Sequence, residues 1–158
     1  MADEELAARF YGGDALIFRL TPANFHRYCY AAGGNILFSG KIQGKLHCVR
    51  PIALRTVPVF VQNCREYLVY ENKVFGMIVQ MEIGALLVGK IRNHRHAEGA
   101  DQVQAGVEKG YFEFGGSTIL LLFQKDIIRF RKELYNRQNP YGEIPVRMGD
   151  FVARRKFL

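Results

Sequence analysis

The stretch Tyr111-Phe-Glu-Phe-Gly-Gly-Ser-Thr-Ile-Leu-Leu-Leu-Phe123 sets two aromatic and β-branched runs on either side of Gly115-Gly116-Ser117. Such residues suit a pleated, half-buried surface, so residues 111–114 and 118–123 are expected as strands. On these residues alone the Gly-Gly-Ser reads first as a tight turn joining them. It also carries a chemical option. Gly116 puts no side chain beside its own carbonyl and tolerates strained backbone angles, and Ser117 places a hydroxyl next to that carbonyl. Attack by Ser117 Oγ gives an ester by N→O acyl shift, and β-elimination then leaves a pyruvoyl group on a new N-terminus. The hydroxyl needs a base and donors for the developing oxyanion, and the tripeptide supplies neither.

Outward from this stretch the pattern stays β-rich. Residues 15–20, 34–38, 45–48, 57–60, 66–71, 73–79 and 85–91 are short apolar or alternating runs separated by turn residues. Residues 93–106 are polar and read as a long loop. Helices are expected at 2–10, with acidic residues at the favourable end, and at 127–135, where Ile127, Phe130 and Leu134 share one face. Residues 144–150 read as a last strand and turn. With 158 residues the chain is about one domain in length and long enough to bury a real core. The expected class is mainly β (α+β), a single compact β-sandwich or barrel-like domain over residues 1–158 with one or two short helices.

The longest wholly apolar run, 119–123, is far too short to span a bilayer, and the acidic beginning differs from a secretory signal. Three cysteines, Cys29, Cys48 and Cys64, are odd in number and lack metal spacing, which fits a reducing compartment. The net charge of +7 favours an acidic partner without choosing one. No nucleic-acid recognition motif accompanies it.

Several segments occur in an order that resembles the C-terminal half of the phosphatidylserine decarboxylase family. They are Phe18-Arg-Leu-Thr-Pro-Ala-Asn-Phe-His-Arg27, Val49-Arg-Pro-Ile-Ala-Leu54, Val61-Gln-Asn-Cys-Arg-Glu66, Gln80-Met-Glu-Ile-Gly-Ala-Leu-Leu-Val-Gly-Lys90, and Glu108-Lys-Gly110 leading into Phe114-Gly-Gly-Ser-Thr118. The resemblance implies a proenzyme cut between Gly116 and Ser117, giving a β chain of residues 1–116 and an α chain of residues 117–158. Ser117 becomes the pyruvoyl cofactor, whose ketone takes the serine amine of phosphatidylserine as a Schiff base and accepts the electrons released with carbon dioxide. No metal is implied. The implied location is cytoplasmic and peripheral to the cell membrane, with phosphatidylserine and an anionic membrane surface as partners and no nucleic acid.

The resemblance makes His26 the acid/base residue, where the residues alone favour a histidine that merely supports its loop. Arg27, Cys29, His47, Gly115 and Thr118 become candidates for substrate binding or support. Cys29 stands where many members have a second histidine, and Asn24 where an aspartate is usual. The family's charge-relay aspartate belongs to a serine-proline-x-aspartate-glycine segment that this sequence does not contain. The expected reading is a fragment, a half that depends on an N-terminal partner chain or a homo-oligomer, or a degenerate relative. The alternative is a non-cleaving lipid-binding or interaction module. Glu82 reads equally as a buried hydrogen-bonded carboxylate or a pocket acid. His94 and His96 have ligand spacing but no third ligand, and read as solvated. The basic C-terminal residues, Arg129, Arg131, Lys132, Arg154, Arg155 and Lys156, read as a lipid-attracting patch or a charged tail.

Overall fold

The computed structural model describes residues 4–86, 90–94, 101–113, 117–135 and 142–157. In chain order the elements are α1 (Glu4–Arg9), β1 (Asp14–Leu20), β2 (Arg27–Cys29), β3 (Gly34–Ile42), α2 (Pro51–Leu54), α3 (Val59–Gln62), β4 (Arg65–Asn72), β5 (Gly76–Ile83), β6 (Lys90–Asn93), β7 (Gln102–Val103), β8 (Glu108–Glu113), β9 (Ser117–Phe123), β10 (Ile128–Phe130), a 3-10 turn (Lys132–Tyr135) and β11 (Ala153–Arg155). The main sheet has the order β1-β9-β5-β4-β3-β7, a second sheet β2-β8-β6, and β10 pairs with β11. Every strand pair is antiparallel. The fold is mainly β, built of open sheets rather than a closed barrel.

Strand alternation sends successive side chains to opposite faces, and both faces of the central strands are covered. Leu68, Tyr70, Ile78, Leu121 and Phe123 pack on one face with Tyr30, Val103 and Ile128. Val69, Val79, Met81 and Ile83 pack on the other, where α1 contributes Leu6. This explains the nearly unbroken apolar runs of β4 and β5. Their hairpin turns where Asn72 Oδ1 accepts from Val74 N and Phe75 N, and Gly76 takes the positive φ of 65° that a residue with a Cβ adopts only under strain.

The second sheet lies over the first. Tyr28 and Phe112, with ring centroids 4.9 Å apart, pack on Leu20 and Ile119 of the main sheet and on Ile91. The chain crosses between the sheets side by side in two places. From Leu20, opposite Ser117, one crossing runs to Arg27, opposite Tyr111. The other joins Glu113 of β8 to Ser117 of β9, so the Gly-Gly-Ser links strands of different sheets instead of closing a hairpin. Residues 114–116 lie outside the described residues.

Several expectations are corrected. Residues 57–60 form no strand but lead into α3, because Val59 is drawn under Val49 and Ala85, overriding β-propensity. The expected strand at 45–48 reduces to one bridge, Lys45 with Asn63. The helix at 127–135 is β10 followed by the 3-10 turn, since Ile128 finds a strand partner in Arg155. Residues 144–150 hold no strand, the chain turning where Asp150 N donates to Arg147 O. The loop at 93–106 includes β7.

Candidate functional site

Ser117 begins β9, fully buried, with Leu20 across from it on β1. Thr118 is buried too and sits between Arg19 and Ile83. His26 closes the other crossing, its carbonyl accepting from Phe112 N at 2.9 Å. This bond holds the His26 loop against the stretch leading into Gly115 and Gly116, both of which lie outside the described residues. Within the loop, Asn24 Oδ1 accepts from Thr21 N and Thr21 Oγ1, both at 2.7 Å. Asn24 is thus a loop brace.

Buried polar atoms are nearly always hydrogen-bonded in folded proteins. Ser117 Oγ, Thr118 Oγ1 and His26 Nε2 are buried with no partner among the described residues. A hydroxyl and an imidazole nitrogen, sheltered from water and without a hydrogen-bond partner among the described residues, therefore flank the junction of the two sheets. Chemically, a hydroxyl can serve as a nucleophile and an imidazole nitrogen as a proton acceptor.

The other expected site residues do different work. Arg27 makes a bidentate pair with Glu108, both contacts 2.6 Å, and its guanidinium stacks 4.9 Å above the Tyr111 ring. His94 Nε2 lies 2.5 Å from the same carboxylate. Hydrogen bonds from Arg27, then His94, hold the Glu108 carboxyl down at about 2. Cys29 contributes its carbonyl, which accepts from Gln80 Nε2 at 3.0 Å. His47 has its ring against Gln62 Oε1 at 3.1 Å and its backbone bracketed by the Asn63 amide. That amide also donates to Gly84 O at 2.7 Å, fastening the loop before α2 to the end of β5. His96 lies outside the described residues, and among the described residues no three His, Cys, Asp or Glu side chains converge.

The residue that sequence reasoning left undecided is Glu82. Register places it opposite Ile119, one rung from Ser117 on the same face of the sheet. It is fully buried and bonded to Lys109 Nζ of β8 at 2.5 Å. Asn93 joins both, donating to Glu82 Oε2 at 3.2 Å and accepting from Lys109 at 2.8 Å. Burial pushes the Glu82 carboxyl up, and Lys109 and the hydrogen bonds offset only part of this. The pair bridges the strand that leads to Gly116 and a strand that flanks Ser117. A lysine in an otherwise inward-facing stretch of β8 was the available sign, but its partner lies 27 residues away.

The phosphatidylserine decarboxylase family model matches residues 1–154, and the chain belongs to that family. It is 41% identical over 151 residues to a phosphatidylserine decarboxylase proenzyme 2 of Clostridium acetobutylicum, covering 96% of this chain and 50% of the relative. With a phosphatidylserine decarboxylase proenzyme of Clostridium kluyveri it is 42% identical over 152 residues, covering 96% of this chain and 51% of the relative. The chain spans about half the length of the curated relatives it matches. Among the described residues no helix is long and apolar enough to cross a membrane.

Proposed function

We propose that this chain carries the pyruvoyl-forming part of a phosphatidylserine decarboxylase, with the self-cleaved bond between Gly116 and Ser117. The observation that carries the reading is the pair of buried atoms, Ser117 Oγ and His26 Nε2, that have no hydrogen-bond partner among the described residues, at adjacent crossings. Ser117 Oγ adds to the Gly116 carbonyl carbon as its proton passes to His26. The Ser117 nitrogen departs from that carbon as an amine, leaving an ester. Loss of the Ser117 Cα proton expels the Gly116 carboxylate, and water then releases ammonia and leaves a ketone at residue 117.

The residues fit this group. Burial on the inner face of the sheet excludes bulk water from residue 117, and a ketone has no hydroxyl to leave unsatisfied there. A pyruvoyl group supplies an electron sink for the pair freed as carbon dioxide leaves phosphatidylserine, yielding phosphatidylethanolamine. His26 holds or returns the proton at Nε2. The relay carboxylate is supplied by a segment or partner chain beyond these residues.

Denaturing mass analysis is expected to show fragments of residues 1–116 and 117–158, the second blocked at its N-terminus. Ser117→Ala abolishes both the cut and carbon dioxide release from phosphatidylserine vesicles. A full-length mass unchanged by prolonged incubation, with the relatives' remaining half also supplied, rejects self-cleavage and favours the non-cleaving lipid-binding module.

A further inference from the structure

Between Asp14 and Glu66 there is no acidic residue, while seven basic ones occur, Arg19, Arg27, Lys41, Lys45, Arg50, Arg55 and Arg65. Four of them are committed internally. Arg19 pairs with Glu143, Arg27 with Glu108 and Lys41 with Glu66, and Arg65 donates to backbone carbonyls. Arg50 and Arg55 bracket α2, are exposed, and make no ion pair among the described residues.

Large apolar side chains stand exposed at the same end of the molecule. Ile52 of α2 is 74% exposed, Val61 of α3 64% and Phe25, beside His26, 67%. Leu86 follows them, its N–H bonded to His47 O. The location follows from the ladder. Ile83 lies opposite Thr118, and the next residue, Gly84, is tied to Cys64 O and to the Asn63 amide. The segment holding α2 and α3 therefore grows out of the Ser117 end of the main sheet. The C-terminal basic strand lies at the other end, where Arg155 lines a cleft with Lys73, Gly76 and Ile127 beside the β4–β5 turn. The seven residues of β9 separate the two ends by about 20 Å.

We infer that the rim formed by Phe25, Ile52, Val61 and Leu86, with Arg50 and Arg55, is the surface that seats this protein on an anionic phospholipid bilayer. The C-terminal basic strand faces away from that contact. The proposal rests on the reading of the substrate as a membrane phospholipid, since a lipid headgroup reaches Ser117 only if that end of the sheet meets the bilayer. Exposed apolar groups interleaved with unpaired cations match a surface with an acyl boundary beneath anionic headgroups. Polar protein partners would leave those apolar side chains without contact.

The test uses the full chain carrying Ser117→Ala, sedimented with phosphatidylcholine vesicles with and without phosphatidylglycerol. Arg50→Gln with Arg55→Gln is expected to lower partition onto the anionic vesicles about thirtyfold, and Arg154→Gln with Arg155→Gln by less than about threefold. The chain has no tryptophan, so Ile52→Trp is a clean reporter. Its emission is expected to shift blue on vesicles and to be quenched by brominated acyl chains, whereas Phe157→Trp is unaffected. An unquenched Ile52→Trp, or a dominant effect of the C-terminal pair, overturns the inference. So does a change of oligomeric state, without loss of vesicle binding, in Ile52→Asp. Because no step here requires the cut, an intact mass of the wild-type chain that stays unchanged with the relatives' remaining half supplied would reject self-cleavage and leave the vesicle result standing.

Discussion

Replacing Lys109 by methionine removes one half of a buried pair while keeping side-chain volume. Lys109 is 4% exposed and Glu82 0%, so no solvent is at hand to take over the abandoned carboxylate. Breaking a buried pair from one side costs about 3–5 kcal/mol, which for a chain of this length lowers the melting temperature by roughly 10 °C. The loss depends on pH in a definite direction. Burial already raises Glu82, with Lys109 pulling the other way, and without Lys109 it rises further. A carboxyl raised in the folded state destabilises the fold as pH climbs from its unfolded value towards its folded one. The deficit of Lys109→Met is therefore expected to be larger at about pH 8 than at about pH 4, where Glu82 is mostly neutral in the unfolded state as well. Urea melts at the two pH values measure it. In the double variant Glu82→Leu with Lys109→Met no charge is left buried, and stability is expected to return to the wild-type level or above. A double variant as unstable as the single, or a deficit equal at both pH values, refutes the reasoning.

Two further outcomes follow from the second sheet. The Glu108 carboxyl, held at about 2 by Arg27 and then His94, is expected to titrate in carbon NMR with that midpoint in the wild type. In Arg27→Ala the midpoint returns towards the ordinary carboxylate range, and an unmoved midpoint excludes the pair. At Gly110 a Cβ would lie 2.2 Å from the Arg92 carbonyl oxygen on the neighbouring strand. Gly110→Ala is expected to cost about 1–3 kcal/mol in a urea melt, as overpacking does, and a neutral result contradicts the β6–β8 register.

Strands were legible where alternation and turn residues agreed. β1 and β9 match their expected bounds to within a residue because each is a β-branched or leucine-rich run stopped by polar or glycine residues. The failures share a cause, which is contacts distant in sequence. Val57-Pro-Val-Phe60 has strand composition, yet the pocket formed by Val49 and Ala85 makes a helical turn the better burial. Ile127, Phe130 and Leu134 have helical spacing, yet Ala153–Arg155 offers a strand to pair with. At the candidate site, Ser117 stood out because its motif is local, whereas His26 was singled out only through the family resemblance. The Glu82–Lys109–Asn93 network was not legible, since only the strand register brings those residues together. The basic C-terminal strand was legible as charge, but its placement away from Ser117 depends on topology.

The position of β9 has a bearing on what self-cleavage would produce. β9 is an interior strand, paired along its whole length with β1 on one side and along six residues with β5 on the other. Its first residue is Ser117, so under the proposed cut the small fragment begins inside the main sheet and keeps both ladders. Severing one peptide bond would turn a single polypeptide into an obligate heterodimer whose subunits never met as separate folded bodies. Such fragments should comigrate in every native separation and part only on denaturation. Neither half should regain its structure alone, because β1 and β5 would each face the gap left by the strand between them.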